Sequence, residues 1–362
     1  MSLELSLEAF LALSDAEKAP LVEGRAALFA QQFDRPFLDR IQRVADAARL
    51  TRSTPGGAAF LAGLLPHRTV LNFFVQPSSR TFLSFNGAEA ILGMPRIDMR
   101  DVSTSSIAKG ESIEDTIHTF TAYVDLVVMR HPDADAASVA TWVCHEASRR
   151  LSRPDGQRIP VPVISGGSGA EQHPTQALLD VYTLQRQLAL VGGLDGKCLL
   201  LVGDLARGRT VRSLALLAHH FPGLSLRFAS PERYAMRQDI LDHLDAHGVP
   251  WGVSDSLDDA LVGADAVYMT RVQDEHDADH VEGEHPPVDP RFRFELRHLK
   301  RLKSHAPLLH PLPKRDEIDP AVDRCGDPRV AYWSQERNGL WARVALIADL
   351  FGVSDAILER HG

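Results

Sequence analysis

The run TVLNFFVQPSSRTFLSF, Thr69 to Phe85, decides the architecture. Its first six residues, ending at Phe74, have the composition of a buried strand, and Gln76-Pro77-Ser78-Ser79 then breaks the run as a turn. Beyond the turn, Phe82, Phe85, Ala88, Ile91 and Leu92 recur at helical spacing until Gly93, so a helix starts inside the serine turn. Strand, tight turn and helix in succession form the unit of a parallel α/β layer. The same alternation continues with LVVMRH (126–131), KCLLLVGD (197–204), LSLRFAS (224–230) and AVYMTR (266–271), each followed by a helix-like or loop segment.

The chain of 362 residues suggests two domains on a prior of about 150 residues each. With 44% hydrophobic and 24% charged residues it has the composition of a globular protein. A formal charge of −9 gives no global attraction to nucleic acid, so an anionic substrate must be drawn by local arginine and lysine. Acids among the first twenty residues replace the basic start of a secretory signal, and no apolar run reaches membrane-spanning length. Cys144, Cys198 and Cys325 are scattered and odd in number, which supports neither a disulfide framework nor a zinc knuckle. A cytoplasmic protein is expected, with no cofactor and no metal. The acidic, histidine-rich run 274–287 reads as a solvated loop, because the spacing of His276, His280 and His285 matches no helical ligand pair.

Four segments carry chemistry. At the serine turn, free N–H groups and the helix dipole favour a dianion, which the hydroxyls of Ser78, Ser79 and Thr81 and the guanidinium of Arg80 can hold. A serine that merely caps the helix accounts for part of this pattern equally well, and the segment alone leaves both readings open. In EQHPTQALLD (171–180), Pro174 suits the first helical position and puts His173 at the N-cap. There the dipole disfavours protonation, and a neutral imidazole can donate to a carbonyl oxygen, with Gln176 in the same turn; a buried capping histidine is the plainer alternative. LLLVGDLARGRTV (199–211) lacks the GxGxxG spacing of a dinucleotide site but opens a helix with Arg209. The strand of YMTRVQ ends in Arg271 with Gln273 two residues on, a carboxylate fork beside an amide donor.

Together with KGE at 109–111, MRHP at 129–132 and HPLPKRDEI at 310–318, these segments resemble the aspartate carbamoyltransferase family, catalytic chain, in one linear order from about Phe33 to Gly352. The resemblance implies two parallel-sheet α/β domains. A carbamoyl-phosphate-binding domain would take 31–185 plus 338–362, the last helix returning to it, and an aspartate-binding domain 186–337, after a helical lead over 1–30. It also implies transfer of a carbamoyl group from carbamoyl phosphate to L-aspartate in pyrimidine biosynthesis, without cofactor. By matched position, Ser78, Ser79, Arg80 and Thr81 would hold the phosphate, Arg130 and His173 the carbamoyl oxygen and Gln176 the carbamoyl nitrogen. Leu312 and Pro313 would turn backbone carbonyls to the substrates, and Arg209, Arg271 and Gln273 would bind the carboxylates of aspartate. Ser105 and Lys109 would reach into a neighbouring subunit's site, making a homotrimer the minimal active unit. A regulatory or dihydroorotase-like partner chain is compatible with the resemblance, but none of these motifs assigns one.

The chain departs from the family pattern in three places. Phe82 replaces the second arginine of Ser-Thr-Arg-Thr-Arg, and is expected to pack with Phe85. Gln76 and His276 stand where a glutamate and an arginine hold the domains closed, and Lys314-Arg315 replaces Arg-Val after HPLP. An ornithine-type enzyme would show His-Cys-Leu-Pro and a Ser-Met-Gly loop, neither present, and a non-catalytic assembly homologue would have lost ligands.

Overall fold

The computed structural model describes residues 4–103, 106–150, 160–169, 172–273 and 288–361, and its chain divides into two compact units. The first comprises Met1–Leu178 with Gly339–Gly362, and the second Leu179–Asn338. The run 274–287 with its histidines, and Ser105, lie outside the described residues. Among the described residues no helix is long and apolar enough to cross a membrane.

The first unit holds strands β1 (Ala26–Ala27), β2 (Val70–Phe74), β3 (Arg96–Met99), β4 (Leu126–Arg130) and β5 (Val163–Ser165), ordered β1-β5-β4-β2-β3 and all parallel. The second holds β6 (Cys198–Val202), β7 (Ser225–Ala229), β8 (Trp251–Ser254), β9 (Ala266–Met269) and β10 (Leu308–Leu309), ordered β10-β9-β6-β7-β8 and again all parallel. This is the parallel α/β architecture expected. β2, β4 and β9 are buried at every residue and β6 at all but its first, as central parallel strands covered on both faces must be. In each sheet the chain builds outward from one strand and then crosses to its other side, at β2/β4 and at β6/β9. Such switch points open a crevice at the carboxyl ends of the strands.

The lead is partly helical and is built into the first unit's core. Short helices at Leu7–Leu11 and Asp15–Lys18, capped by Ser6 and Ser14, precede β1, which forms the sheet's edge beside β5. Phe10 and Val22 are fully buried in the core cluster that contains Phe73, Val127 and Met129. The segment expected as one last helix is two: a helix spans Tyr332–Leu350, and after a break at Gly352 (φ +68°) another spans Ser354–His361.

Candidate active site

In the first unit the carboxyl ends of β2, β4 and β5 converge. Phe74 is in register with Arg130, and the carbonyl of Arg130 accepts from the N–H groups of Val75 and Gln76 at 3.0 and 3.2 Å, which binds the exit of β2 to the end of β4. The helix Ser79–Ile91 follows, with Ser78 as an extended N-cap whose hydroxyl makes no capping bond. The cap therefore does not occupy that hydroxyl, which weakens the purely structural reading of the turn. Ser79 and Arg80 are exposed in the first turn and Thr81 is buried.

After β5 comes a feature that the sequence does not announce, the pair Gly166-Gly167. Arg130 donates from one terminal nitrogen to the carbonyl of Gly166 at 2.8 Å. A Cβ on Gly166 would lie 3.5 Å from the Thr81 methyl; one on Gly167 would lie 2.8 Å from Arg130 and 3.2 Å from His173. Gly167 also has φ +96°, where an L side chain is strained. The two glycines thus form the floor around which Thr81, Arg130 and His173 gather. His173 directly precedes the helix Pro174–Gln187, and its carbonyl accepts from the N–H of Gln176 at 3.0 Å. His173 and Gln176 are 5% and 9% exposed, so both are desolvated before any ligand arrives.

The residue before His173 is clamped by the lead. Gln172 accepts from the Ala30 N–H at 2.9 Å and donates to Asp15 at 2.6 Å and Gln31 at 3.0 Å. This gives the lead a purpose that no local motif announced. Lys109 ends a short 3₁₀ turn, Ser106–Lys109, and is exposed.

The departure at Phe82 resolves differently from expectation. Its ring is half-buried and meets Phe74 edge-on at 5.4 Å, while the fully buried Phe85 lies under Arg343. The guanidinium of Arg100, just past β3, sits 4.5 Å over the Phe82 ring. A positive charge therefore stands beside the serine turn although position 82 is aromatic.

In the second unit the loops after β6, β9 and β10 carry the remaining candidates. The buried carboxylate of Asp204 organises the first two. It accepts from the Arg207 backbone N–H at 3.1 Å, from the Arg207 side chain at 2.8 Å and from the Gln273 backbone N–H at 3.0 Å. Gly203, at φ +114°, lets the strands close: a Cβ there would stand 2.1 Å from the Thr270 carbonyl. The Gln273 amide lies 3.7 Å from where a Gly208 Cβ would be, beside Arg209, the first residue of the helix Arg209–Leu216. Arg271 donates to the Val272 carbonyl at 2.9 Å. Arg209, Arg271 and Gln273 are all half-buried.

Leu312 has φ +55°, a conformation that costs a branched side chain about 1–2 kcal/mol. A buried relay holds it there. The Leu312 N–H donates to His310 Nδ1 at 2.8 Å, so the ring proton sits on Nε2, which lies 2.9 Å from the Glu317 carboxylate. Burial keeps the His310 pKa below its ordinary value despite that carboxylate. The His310 N–H donates to Gln335, Gln335 to Asp180, and Tyr268 to the other Asp180 oxygen, at 2.9, 2.7 and 2.7 Å. Lys314 is tied to Asp323 at 2.5 Å, so its added charge after HPLP is paired; Pro313 is exposed. Beside these loops a cavity of about 200 Å³ is lined by Gly203, Tyr234, Thr270, Val272 and Glu317 among others.

The comparisons agree with this two-part design. Residues 26–186 match the family "Aspartate/ornithine carbamoyltransferase, carbamoyl-P binding domain", and 195–350 match its "Asp/Orn binding domain". The chain is 40% identical over 319 residues to aspartate carbamoyltransferase 1, chloroplastic, of Pisum sativum, covering 88% of this chain and 76% of that one. It is 38% identical to the Arabidopsis thaliana chloroplastic enzyme, covering 92% and 78%. Among solved structures, Trypanosoma cruzi aspartate transcarbamoylase in complex with carbamoyl aspartate and phosphate superposes with TM-score 0.75 at 32% identity, covering 90% of this chain and 95% of that one. The catalytic subunit of M. jannaschii aspartate transcarbamoylase does so with TM-score 0.72 at 31% identity, covering 91% and 98%. The chain belongs to the aspartate/ornithine carbamoyltransferase family, and within it to the aspartate carbamoyltransferases.

Proposed function

We propose that this chain transfers the carbamoyl group of carbamoyl phosphate to the amine of L-aspartate, giving N-carbamoyl-L-aspartate and phosphate. The observation that carries the reading is the gathering of Thr81, Arg130 and His173 around Gly166-Gly167 at the carboxyl ends of β2, β4 and β5. Three donors fixed in a desolvated pocket are what a developing oxyanion requires. In the proposed sequence of events the deprotonated amine attacks the carbamoyl carbon, charge grows on the carbonyl oxygen against those donors, and the C–O bond to phosphate breaks as the departing phosphate takes the proton that the amine nitrogen gives up. Ser78, Ser79, Arg80 and Thr81 hold the phosphate, and Gln176 orients the carbamoyl nitrogen. Arg209, Arg271 and Gln273 bind the two carboxylates of aspartate, while the Leu312 and Pro313 carbonyls meet the substrates' nitrogens. Positioning two anions and stabilising one oxyanion needs no redox or group-carrying cofactor.

Phosphate release and N-carbamoylaspartate formation, measured with L-aspartate and L-ornithine in parallel, test this directly. Turnover with aspartate alone is expected, falling roughly 10²- to 10³-fold in His173→Ala. Turnover with ornithine, or with neither amine, overturns the assignment.

The proposal extends to a homotrimer in which Ser105 and Lys109 complete a neighbour's site. Exposure of Lys109 supports it. Mixing inactive Lys109→Ala and His173→Ala chains should then restore activity through hybrid trimers with one intact site, and no restoration after subunit exchange would count against sharing. We place the reaction in the cytoplasm, on the support of three unpaired cysteines, although the plant relatives are named chloroplastic; cell fractionation decides.

A further inference from the structure

The second unit carries a cluster of imidazoles that the transfer reaction does not use. His219 lies in the 3₁₀ turn Ala218–His220 after the helix Arg209–Leu216. His243 lies near the end of the helix Gln238–Ala246, and His247 follows one turn later on the same face. The ring centroids of His219 and His243 are 5.2 Å apart, those of His219 and His247 4.4 Å, and those of His243 and His247 4.2 Å. One nitrogen from each ring falls within 4.8 Å of the others.

We propose that His219, His243 and His247 form a binding site for a divalent transition cation of the Zn²⁺ class. The edge of a tetrahedron with Zn–N bonds of about 2.0–2.1 Å is about 3.4 Å. Nδ1 of His219 and Nε2 of His243 already stand 3.3 Å apart. The three ligand atoms lie within 4.8 Å of one another, so closing by about 1.4 Å at most completes the edge, and His247 is the exposed member of the three, with the freest side chain. Its Nδ1 lies 2.8 Å from the His243 carbonyl, which keeps the proton on that nitrogen and leaves the Nε2 lone pair for a metal.

Against the site stands Arg212, which faces His243, but its charge is paired with Asp239 at 2.5 Å. Nδ1 of His219 and Nε2 of His243 also approach the Leu216 carbonyl, at 2.9 and 3.2 Å, so as ligands they would give up those contacts and carry their protons on the opposite ring nitrogens. An all-imidazole set favours Zn²⁺, Cu²⁺, Ni²⁺ or Co²⁺ over Mg²⁺ or Ca²⁺, and three ligands leave a fourth position open to water. The bound ion would staple the helix Gln238–Ala246 to the turn that ends the Arg209 helix.

The experiment uses the full chain, stripped with a chelator and dialysed, then titrated calorimetrically with Zn²⁺ and followed by visible absorption with Co²⁺. One equivalent per chain is expected, with a micromolar or tighter constant, a tetrahedral Co²⁺ spectrum and a raised thermal midpoint. His247→Ala removes an exposed ligand without touching the core, and should weaken binding at least tenfold and abolish the midpoint shift. The chain with His276→Ala, His280→Ala and His285→Ala together should bind as the wild type does. Wild-type affinity in His247→Ala, loss of binding in the triple variant, or binding only at millimolar Zn²⁺ each overturns the proposal.

Discussion

Both units set their candidate ligands at the carboxyl ends of a five-stranded parallel sheet, beside the point where the strand order reverses. In the first unit four of the candidate side chains are themselves buried, Thr81, Arg130, His173 and Gln176 being each no more than 9% exposed, while Ser79 and Arg80 at the serine turn are exposed. In the second, Arg209, Arg271 and Gln273 remain half-exposed, and the buried groups are those that hold the backbone beneath them, Asp204, His310 and Glu317. On the proposed assignment the buried four would meet the bond-making charge, which gains most from a fixed, dry environment. On the same assignment the second would serve a substrate that must enter and leave, its loops fixed and its side chains accessible.

If that contrast is right, disturbing the floor of the first unit should reduce kcat more than anything comparable in the second. Gly167→Ala puts a methyl 2.8 Å from Arg130 and 3.2 Å from His173, in a conformation hostile to it. A loss of roughly 10²- to 10³-fold in kcat is expected, with the aspartate KM little changed. Steady-state kinetics with both substrates varied checks it. A variant that raised only the KM for carbamoyl phosphate would reduce the floor to a binding feature.

The two units also treat buried carboxyl groups in opposite ways. Glu89, fully buried in the first unit, has its pKa pushed up to about 7 by burial, against the Asn72 hydrogen bond and Arg96. Asn72 donates to Glu89 at 2.9 Å and to Asp98 at 3.0 Å. In Glu317 of the second unit burial also opposes ionisation, but His310 and the Arg315 N–H outweigh it and the pKa falls. The signs therefore differ. Glu89, raised from 4.5, leaves stability intact below that pH and removes it as pH climbs through about 7. Glu317, lowered, contributes stability above its unfolded value that is lost on acidification. Glu89→Gln should stabilise the protein at pH 8 by about 3 kcal/mol, with the gain fading toward pH 4.5. Glu317→Gln should destabilise it at pH 8, where the carboxylate is lost as an acceptor. Denaturant titrations across pH 4–8 read both slopes, and slopes of the same sign would break the comparison.

A smaller effect belongs to Asp204→Asn, which keeps the size of the side chain and removes its charge. The Gln273 backbone and the Arg207 side chain both rest on that carboxylate. The aspartate KM should rise about tenfold, the order of one charge-assisted bond, with kcat and the KM for carbamoyl phosphate near wild type. A dominant fall in kcat would place Asp204 nearer the chemistry than its contacts imply.

These residues also mark the limits of reading the chain. The strand runs around 70–74, 126–130, 198–202, 225–229 and 266–269 were visible because central parallel strands are continuous apolar runs. The strands without such a signal are the short or edge ones: Ala26–Ala27 lacks β-branched residues, and Arg96–Met99 is largely exposed and charged at the sheet margin. Arginines and the His-Pro turn announced themselves by chemistry and spacing. Gly166-Gly167, Gln172 and Asp204 did not, because their importance lies in what approaches them from distant segments. Asp15 on Gln172 spans 157 residues, and no local pattern encodes such a pair. The glycine pair itself was the one signal available for the positive φ of Gly167, and glycine pairs after a short strand are too common to single out.

The smallest expected effect concerns Phe82, where the chain departs from its family. If the second arginine of the phosphate turn supplied an indispensable charge, restoring it should sharply lower the KM for carbamoyl phosphate. Here Arg100 already lies 4.5 Å over the Phe82 ring, and Phe82 is held edge-on by Phe74. Phe82→Arg therefore removes a cation–π partner worth about 0.5–1 kcal/mol while placing a second cation beside the first. Gain and loss nearly cancel, and the KM for carbamoyl phosphate should change less than about threefold, in either direction, with kcat preserved. Arg100→Ala separates the contributions: it should raise that KM by more than Phe82→Arg changes it, because it withdraws the positive charge that stands beside the turn. A tenfold improvement in Phe82→Arg would instead mean that Arg100 serves the ring alone, and that the first unit's phosphate turn is less completely organised than its buried neighbours.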